Sequence, residues 1–302
     1  VAPQVWQAFG DVPNYVEPFA GSLAVLLGRP HTPRTETVND ADLLLCNFWR
    51  AIQADPVATA YYADWPVNEA DLLARHKWLI ETGAFRTAKL RECAEFYDAK
   101  VAGWWVWGLC AWIGSGWGQK SAEQLPHLGN AGRGINRKLP HLGDAGRGIE
   151  EYFFTLADRL RGVRVACGDW TRVLGESVTV KHGMTGVFLD PPYRSSEHDV
   201  QYAVNADGVA DAVRQWAVEN GDNPLLRIAL CSYGEAPCPD GWVRLRWKAQ
   251  GGYGSQAKAA RGRSNSKRET IDFSPHCLSA PLLDLMLNPG HLDMQGGGES
   301  HE

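Results

Sequence analysis

The stretch Gly186-Val187-Phe188-Leu189-Asp190-Pro191-Pro192-Tyr193 constrains this chain more than any other. Val187 to Leu189 read as a short buried strand, and two successive prolines prevent its continuation. An acid, Asp190, is thereby left at the carboxyl end of a parallel strand, the edge at which open α/β sheets place their active sites. Pro191 and Pro192 make a stiff loop that offers carbonyl oxygens but no N–H groups. Tyr193 adds a flat aromatic face. A carboxylate and a carbonyl together supply two acceptors for an exocyclic amino group, and the ring supplies a platform for a nucleobase. The competing reading is a plain turn after a core strand, with Asp190 as its cap.

Three earlier segments bear on that choice. Tyr15-Val16 reads as a strand, followed by Glu17-Pro18-Phe19-Ala20-Gly21-Ser22 and the apolar Leu23 to Leu27. Gly21 permits a tight turn, and Ser22 is the expected N-cap of the helix after it. Glu36-Thr37-Val38-Asn39-Asp40 is a second strand that ends in an acid. Its helix carries Leu44, Phe48, Ala51 and Ile52 on one face and stops before Pro56. Asp40 lies 19 residues after Gly21, close to the offset of about 20 at which an acid meets a ribose hydroxyl in nucleotide-binding α/β units. A cap on the following helix is the alternative role for Asp40. A helix over Ile149 to Leu160 leads into a third strand, Val163 to Cys167, again followed by an acid in Gly168-Asp169-Trp170. The strand before Asp190 is the fourth, with a crossover helix marked by Val209, Ala212, Val213 and Trp216. Leu226 to Leu230 form the fifth strand. Alternating strands and helices imply a doubly wound parallel sheet. Three successive strands ending in Asp40, Asp169 and Asp190 line one edge of it, which chance capping explains poorly.

The remainder of the chain divides around this pattern. From about residue 55 to 115 the spacing predicts helices and no strands, with Leu72, His76, Leu79 and then Ala88, Arg91, Ala94, Tyr97 at helical intervals. Residues 103–117 hold five tryptophans (104, 105, 107, 112, 117) among small residues. Most are expected in the core, with one or two left to stack on a base. Leu125 to Asn136 recurs as Leu139 to Glu150, a 14-residue duplication with Gly-Arg-Gly in each copy. Small neighbours leave Arg133 and Arg147 free to reach a phosphate or a guanine edge; a locally duplicated surface loop is the plain alternative. Trp242 to Trp247 and Glu269 to Phe273 read as the last two strands, and residues from about 288 as a tail.

Charge separates the partners. Between Arg244 and Arg268 there are eight basic residues and no acidic one, so a net −5 less these eight leaves −13 on the rest. A basic segment on an acidic protein points to a polyanion docking on one face. Seven scattered cysteines without a C-x-x-C pair suggest a reducing compartment and no zinc site. No apolar run reaches the roughly 18 residues of a membrane span, and no signal peptide is read at Val1. Neither a metal nor a membrane is expected.

The ordered set E-P-F-A-G-S at 17–22, N-D at 39–40, G-D-W at 168–170 and D-P-P-Y at 190–193 resembles the Dam-type DNA adenine-N6 methyltransferases over about residues 14 to 275. The resemblance implies an α/β fold, a Rossmann-like doubly wound, mostly parallel sheet with a mainly helical target-recognition insertion. Residues 1–54 and 151–287 would form the catalytic domain, 55–150 the insertion and 288–302 a flexible tail. It implies S-adenosylmethionine as cofactor, with Glu17, Pro18, Phe19 and Gly21 lining its pocket. Asp40 would bind its ribose, Asp169 and Trp170 its adenine, and Asp190 would border the same pocket. Asp190, Pro191, Pro192 and Tyr193 would be catalytic. The stretch Asn265-Ser266-Lys267-Arg268-Glu269 is similar to the family's late N-x-x-R-x-E. Double-stranded DNA is the implied partner, with Lys248, Lys258, Arg261, Arg263, Lys267 and Arg268, besides Arg133 and Arg147, on its phosphates. A bacterial or phage-encoded protein acting in the bacterial cytoplasm is implied as well.

The family usually carries an N-terminal G-G-K segment, and this chain opens at Val1, where such a segment would finish. Weak cofactor binding is the corresponding expectation. Methylation of cytosine N4, methylation of RNA, and a catalytically inactive DNA-binding relative are the alternatives. The sequence does not fix the oligomeric state, and a monomer on DNA is compatible with it.

Overall fold

The computed structural model describes residues 1–93, 95–112, 117–118, 148–192, 208–233, 236–246 and 269–278. Strands β1 (Asn14–Glu17), β2 (Thr35–Asp40), β3 (Val163–Cys167), β4 (Thr185–Leu189), β5 (Leu226–Tyr233), β6 (Val243–Arg246) and β7 (Glu269–Phe273) form one sheet. Its order is β3-β2-β1-β4-β5-β7-β6. The first five strands pair in parallel. β7 enters between β5 and β6 and runs antiparallel to both. The order reverses between β1 and β4: the chain leaves β1 for β2 on one side and later returns to β4 on the other. Open α/β sheets form their ligand crevice at that switch point, beyond the carboxyl ends of the strands. The expected α/β class and mostly parallel sheet are both present.

Period-2 alternation divides the side chains between two apolar layers. Tyr15, Val38, Phe188, Ala229, Cys231, Ile271 and Phe273 belong to the larger one. Val16, Val187, Leu189, Ile228 and Leu230 belong to the other, beneath helix α9 (Val209–Asn220) with its buried Val213 and Ala217. On the larger face lie α1 (Ala2–Phe9), α2 (Ala24–Leu27), α3 (Leu43–Ala54) and α8 (Ile149–Leu160).

Helix α1 was not foreseen. Pro3 suits its first turn, and Val5, Trp6, Ala8 and Phe9 are buried on one side of it. Trp6 Nε1 donates to the Val25 carbonyl at 2.7 Å, which pins α1 to α2. Phe9 lies so close over β4 that a Cβ on Gly186 would sit 2.7 Å from the ring. Two other expectations fail locally. Ser22 does not cap α2: the helix starts at Ala24, its N-cap is Leu23 at φ 56°, and no side chain caps it. Of the helical spacing over 88–97, Ala88 ends a short helix and Lys89–Arg91 form a 3₁₀ turn, and among the described residues from 92 to 97 there is no helix.

The helical block contains α4 (Pro56–Ala63), α5 (Glu69–Trp78), α6 (Ala84–Ala88) and α7 (Ala99–Ala111). Among its described residues there is no strand, as expected. Asp98 caps α7 through the Val101 N–H. Asn47 on α3 clasps the Asp98 backbone in both directions, at 2.8 and 2.9 Å, so the block is anchored to a sheet helix. Trp105, Trp107, Trp112 and Trp117 are core residues in the same apolar cluster as the sheet face. The Arg75 guanidinium is buried among Trp107, Trp104 and Trp65, 4.2, 5.1 and 5.4 Å from their ring centroids. The duplication apart from its last residues 148–150, most of the basic stretch and the tail lie outside the described residues.

Candidate active site

The ends of β1 to β4 and the start of β7 meet at the crevice. β1 contributes Glu17, which is 2 % exposed, and alternation places it on the same face as Tyr15. The Tyr15 hydroxyl donates to Glu17 Oε2 at 2.9 Å. Burial pushes the Glu17 carboxyl up to about 8; the negative charge of Asp190 adds to this, while the Tyr15 hydroxyl and the Leu26 backbone N–H oppose it. That N–H belongs to the uncapped first turn of α2, so an acid from the sheet takes one of the donors that Ser22 leaves unsatisfied.

Across the switch point β4 ends at Leu189 and delivers Asp190, which is exposed at the rim, followed by buried Pro191 and half-buried Pro192. Tyr193 lies outside the described residues. A third acid reaches the same edge from β7. Glu269 is the first residue of that antiparallel strand, and alternation with Ile271 and Phe273 puts it on the face shared by Glu17. Burial raises the Glu269 carboxyl, and the Asp190 charge raises it further. The sequence places Glu269 at the start of the last strand and within the late stretch similar to N-x-x-R-x-E, with no role at the site; the antiparallel course of that strand brings it to the crevice.

The loop after β1 closes on the end of β2. Gly21, at φ 46°, donates its N–H to Asp40 Oδ2 at 3.2 Å, and Asp42 N–H donates to Oδ1 at 2.9 Å. A Cβ on Gly21 would meet nothing, so the backbone angle and not crowding calls for glycine there. Burial raises the Asp40 carboxyl against these bonds. The helix-cap alternative for Asp40 falls to a neighbour: Asp42 Oδ1 accepts from Leu44 N–H at 2.8 Å and caps α3.

Asn39, on β2 and 1 % exposed, ties the loops after β1 and β3 to that strand. Its Nδ2 donates to the Pro18 and Gly168 carbonyls, both at 3.0 Å. Beside them Phe19 and Trp170 stack at 6.3 Å between centroids and 28° between planes. Asp169 is exposed and caps the 3₁₀ turn Trp170–Val173, accepting from Thr171 N–H at 3.0 Å and from the Thr171 hydroxyl. Glu17, Pro18, Phe19, Gly21, Asp40, Asp169, Trp170, Asp190, Pro191 and Pro192 are therefore gathered on one sheet edge, at the ends of β1 to β4.

The expected phosphate contacts Arg133, Arg147, Lys248, Lys258, Arg261, Arg263, Lys267 and Arg268 lie outside the described residues. Arg244, at the start of the basic stretch, is engaged within the sheet, its Nε and Nη2 reaching Asp272 at 2.6 and 2.7 Å. Among the described residues no group of histidine, cysteine and acidic side chains is arranged to hold a metal ion. None of their helices is long and apolar enough to cross a membrane. No family model matches the chain, and no curated protein matches it either.

Proposed function

We propose that this protein transfers a methyl group from S-adenosylmethionine to N6 of an adenine flipped out of duplex DNA, using the edge between β1 and β4. The observation that carries this reading is the pairing of two loops across the switch point. Asp190-Pro191-Pro192 stands on one side; Glu17 and the Gly21–Asp40 hydrogen bond stand on the other. The donor set fits a nucleoside: Asp40 offers carboxylate lone pairs to ribose hydroxyls, and the Phe19–Trp170 pair offers flat surface to a base. S-adenosylmethionine, when bound there, supplies an electrophilic methyl on a positively charged sulfur.

The adenine amino group is a poor nucleophile because its lone pair is delocalised into the ring. Hydrogen bonds from its two N–H atoms to the Asp190 carboxylate and the Pro191 carbonyl favour a pyramidal nitrogen and free that lone pair. The protein then contributes mainly orientation and electrostatics. The methylated nitrogen is cationic and loses its proton readily, so Asp190 is not required to act as a strong base. Tyr193 is assigned to stack on the extruded base, which is inaccessible inside the helix. The basic residues of the 248–268 stretch are assigned to phosphates, so affinity for DNA falls steeply with added salt.

Isothermal titration with S-adenosylmethionine and mass spectrometry of nucleosides after incubation with duplex DNA test the proposal together. Asp190→Ala is expected to abolish N6-methyladenine and to leave cofactor affinity within a few-fold of the parent. Normal turnover in that variant sinks the assignment of Asp190. An N4-methylcytosine or methylated RNA product instead moves the substrate to one of the alternatives.

A further inference from the structure

We propose that Cys46 and Cys167 form a peroxide-reactive thiol pair that closes into a disulfide beneath the Asp40 rim and weakens nucleotide binding there. The disulfide stands on the placement and burial of the two cysteines; its effect on ligand binding rests on the function proposed above.

Cys167 is the last residue of β3 and pairs directly with Asp40 in the parallel register. Cys46 stands in the first turn of α3, directly above that pair. Its Sγ lies 3.4 Å from the Asp40 carbonyl and 3.6 Å from that of Ala166, the residue before Cys167. Alternation puts Cys167 on the same face of β3 as Val163 and Val165, the face that α3 covers, so the two thiols are turned towards each other, and the positive charge of Arg91 acts on Cys167 from the helical block. Asp40 and Asp42 are the acids that face this pair. Cys46 is 1 % exposed and Cys167 is half-buried, so an oxidant reaches Cys167 first.

The electrostatics divide the roles. The Cys46 S–H, and after it Arg91, pull the Cys167 thiol below its ordinary range in spite of burial. Cys46 is held well above its own range by the Cys167 partner and by burial. Cys167 is therefore the thiolate that attacks, and Cys46 the thiol that resolves. The Cys167 sulfur takes the distal oxygen of a hydroperoxide as the O–O bond breaks, giving a sulfenic acid and an alcohol, or water from hydrogen peroxide. The Cys46 sulfur then attacks the sulfenic sulfur; its own proton leaves with the displaced hydroxide as water. Two thiols and one hydroperoxide thus give one disulfide, one alcohol and one water. Cysteines kept reduced by their compartment are the ones in which such a change carries a signal.

Closure matters because of what is attached. A disulfide needs its sulfurs about 2.05 Å apart, well inside a thiol hydrogen bond, so the first turn of α3 is drawn towards β3. Asp42, the cap of that turn, holds Asp40 Oδ1, and the Cys46 contact with the Asp40 carbonyl is lost on bonding.

The test treats the full chain with stoichiometric hydrogen peroxide. The intact mass should fall by two hydrogens, two of the seven thiols should vanish, and peptide mapping should find residues 46 and 167 linked and separated again by dithiothreitol. Cys46→Ser, or Cys46→Ala should the serine variant misfold, should stop at a dimedone-trappable sulfenic acid on Cys167. Cys167→Ser should leave its remaining thiols untouched. Titration with S-adenosylmethionine should show affinity at least about tenfold weaker after oxidation, the loss expected when a charge-assisted hydrogen bond is misplaced. Free thiols, a different pairing, or direct over-oxidation of Cys167 overturns the thiol pair. A 46–167 disulfide with unchanged affinity overturns the regulatory half. Should the reduced protein bind no S-adenosylmethionine at all, the proposed function fails while the mass and thiol readouts still decide the disulfide.

Discussion

The Tyr15 hydroxyl and the Glu17 carboxylate, two residues apart on β1, face the same way and meet at 2.9 Å inside the core. Period-2 geometry makes them neighbours, and the sheet then seals the acid at 2 % exposure beside Asp190. A carboxyl in that position holds its proton at neutral pH, while Asp190 stands at the solvent-facing rim. The crevice thus carries one acid sealed in the core and one at its exposed rim.

Stability should fall with rising pH because of Glu17. Its pKa is about 8 in the folded protein against an ordinary 4.5, so between those values the folded chain binds more protons than the unfolded one. Stability is then highest near the lower value, is lost as pH rises through the window, and levels off above about 8, with a slope of up to about 1.4 kcal/mol per pH unit. Glu17→Gln stays neutral throughout and keeps an acceptor for Tyr15. Urea midpoints measured from pH 5 to 8.5 should decline for the parent relative to the variant. Parallel curves for the two proteins contradict the buried, protonated acid.

Asn39→Ala should loosen the rim. It strips the Pro18 and Gly168 carbonyls of a shared donor, an expected cost of about 1–3 kcal/mol for groups left unpaired away from water. Asn39→Asp should be worse, since a carboxylate offers no N–H to either carbonyl. Denaturant midpoints give the energies, and hydrogen exchange at Phe19 and Trp170 should rise in both variants. Protection unchanged at these two residues means that the loops are held by something other than Asn39.

Much of this architecture was legible because β3 to β5 are short, mainly apolar runs set off by glycine, proline or an acid, β2 is a β-branched stretch that ends in an acid, and α3, α8 and α9 carry one apolar stripe each. The chain of acids at 40, 169 and 190 was legible for the same reason: a strand that must stop leaves its next polar residue at the sheet edge. Leu23 was not, because nothing in its side chain announces φ 56°, and that angle displaces the cap from Ser22. Helix α1 has a readable pattern at Val5, Trp6 and Phe9, but eight residues make a marginal helix without tertiary packing. Glu269 reached the site through an antiparallel insertion between β5 and β6, a pairing that local spacing does not encode. The Tyr15–Glu17 pair had a signal, alternation around Val16, that points the acid inward with the ring.

Glu36→Gln should be strongly destabilising. The Glu36 carboxylate is 2 % exposed and receives Arg159 Nη1 and Nη2 at 2.7 and 2.9 Å and Arg29 Nη1 at 3.2 Å, joining α8 and the segment after α2 to β2. Removing the negative charge between two guanidiniums leaves buried Arg29 with the longer 3.7 Å contact to exposed Asp11 and takes a bidentate partner from half-buried Arg159, a loss that approaches the about 3–5 kcal/mol of a broken buried pair. Replacing Glu36 and Arg159 together by methionine should recover part of that loss, since apolar packing often substitutes for a buried ion pair. Equal denaturant midpoints for Glu36→Gln and the parent contradict the network.

Gly186→Ala tests whether α1 positions the strand that leads into Asp190. Gly186 lies four residues before Asp190 on β4, and an added methyl would come 2.7 Å from Phe9 Cδ2 and 3.1 Å from two further ring atoms. Either the ring, and α1 with it, moves away, or β4 shifts in its register with β1. Overpacking of this kind costs about 1–3 kcal/mol. Phe9→Leu alone costs a comparable amount through lost packing, but it opens the space that the methyl needs, so the double variant should be more stable than the sum of the two single changes. An interaction energy of about 1 kcal/mol or more between sites in contact is the expected result. Additive single changes mean that Phe9 does not rest on Gly186, and α1 is then not what holds the strand that carries Asp190.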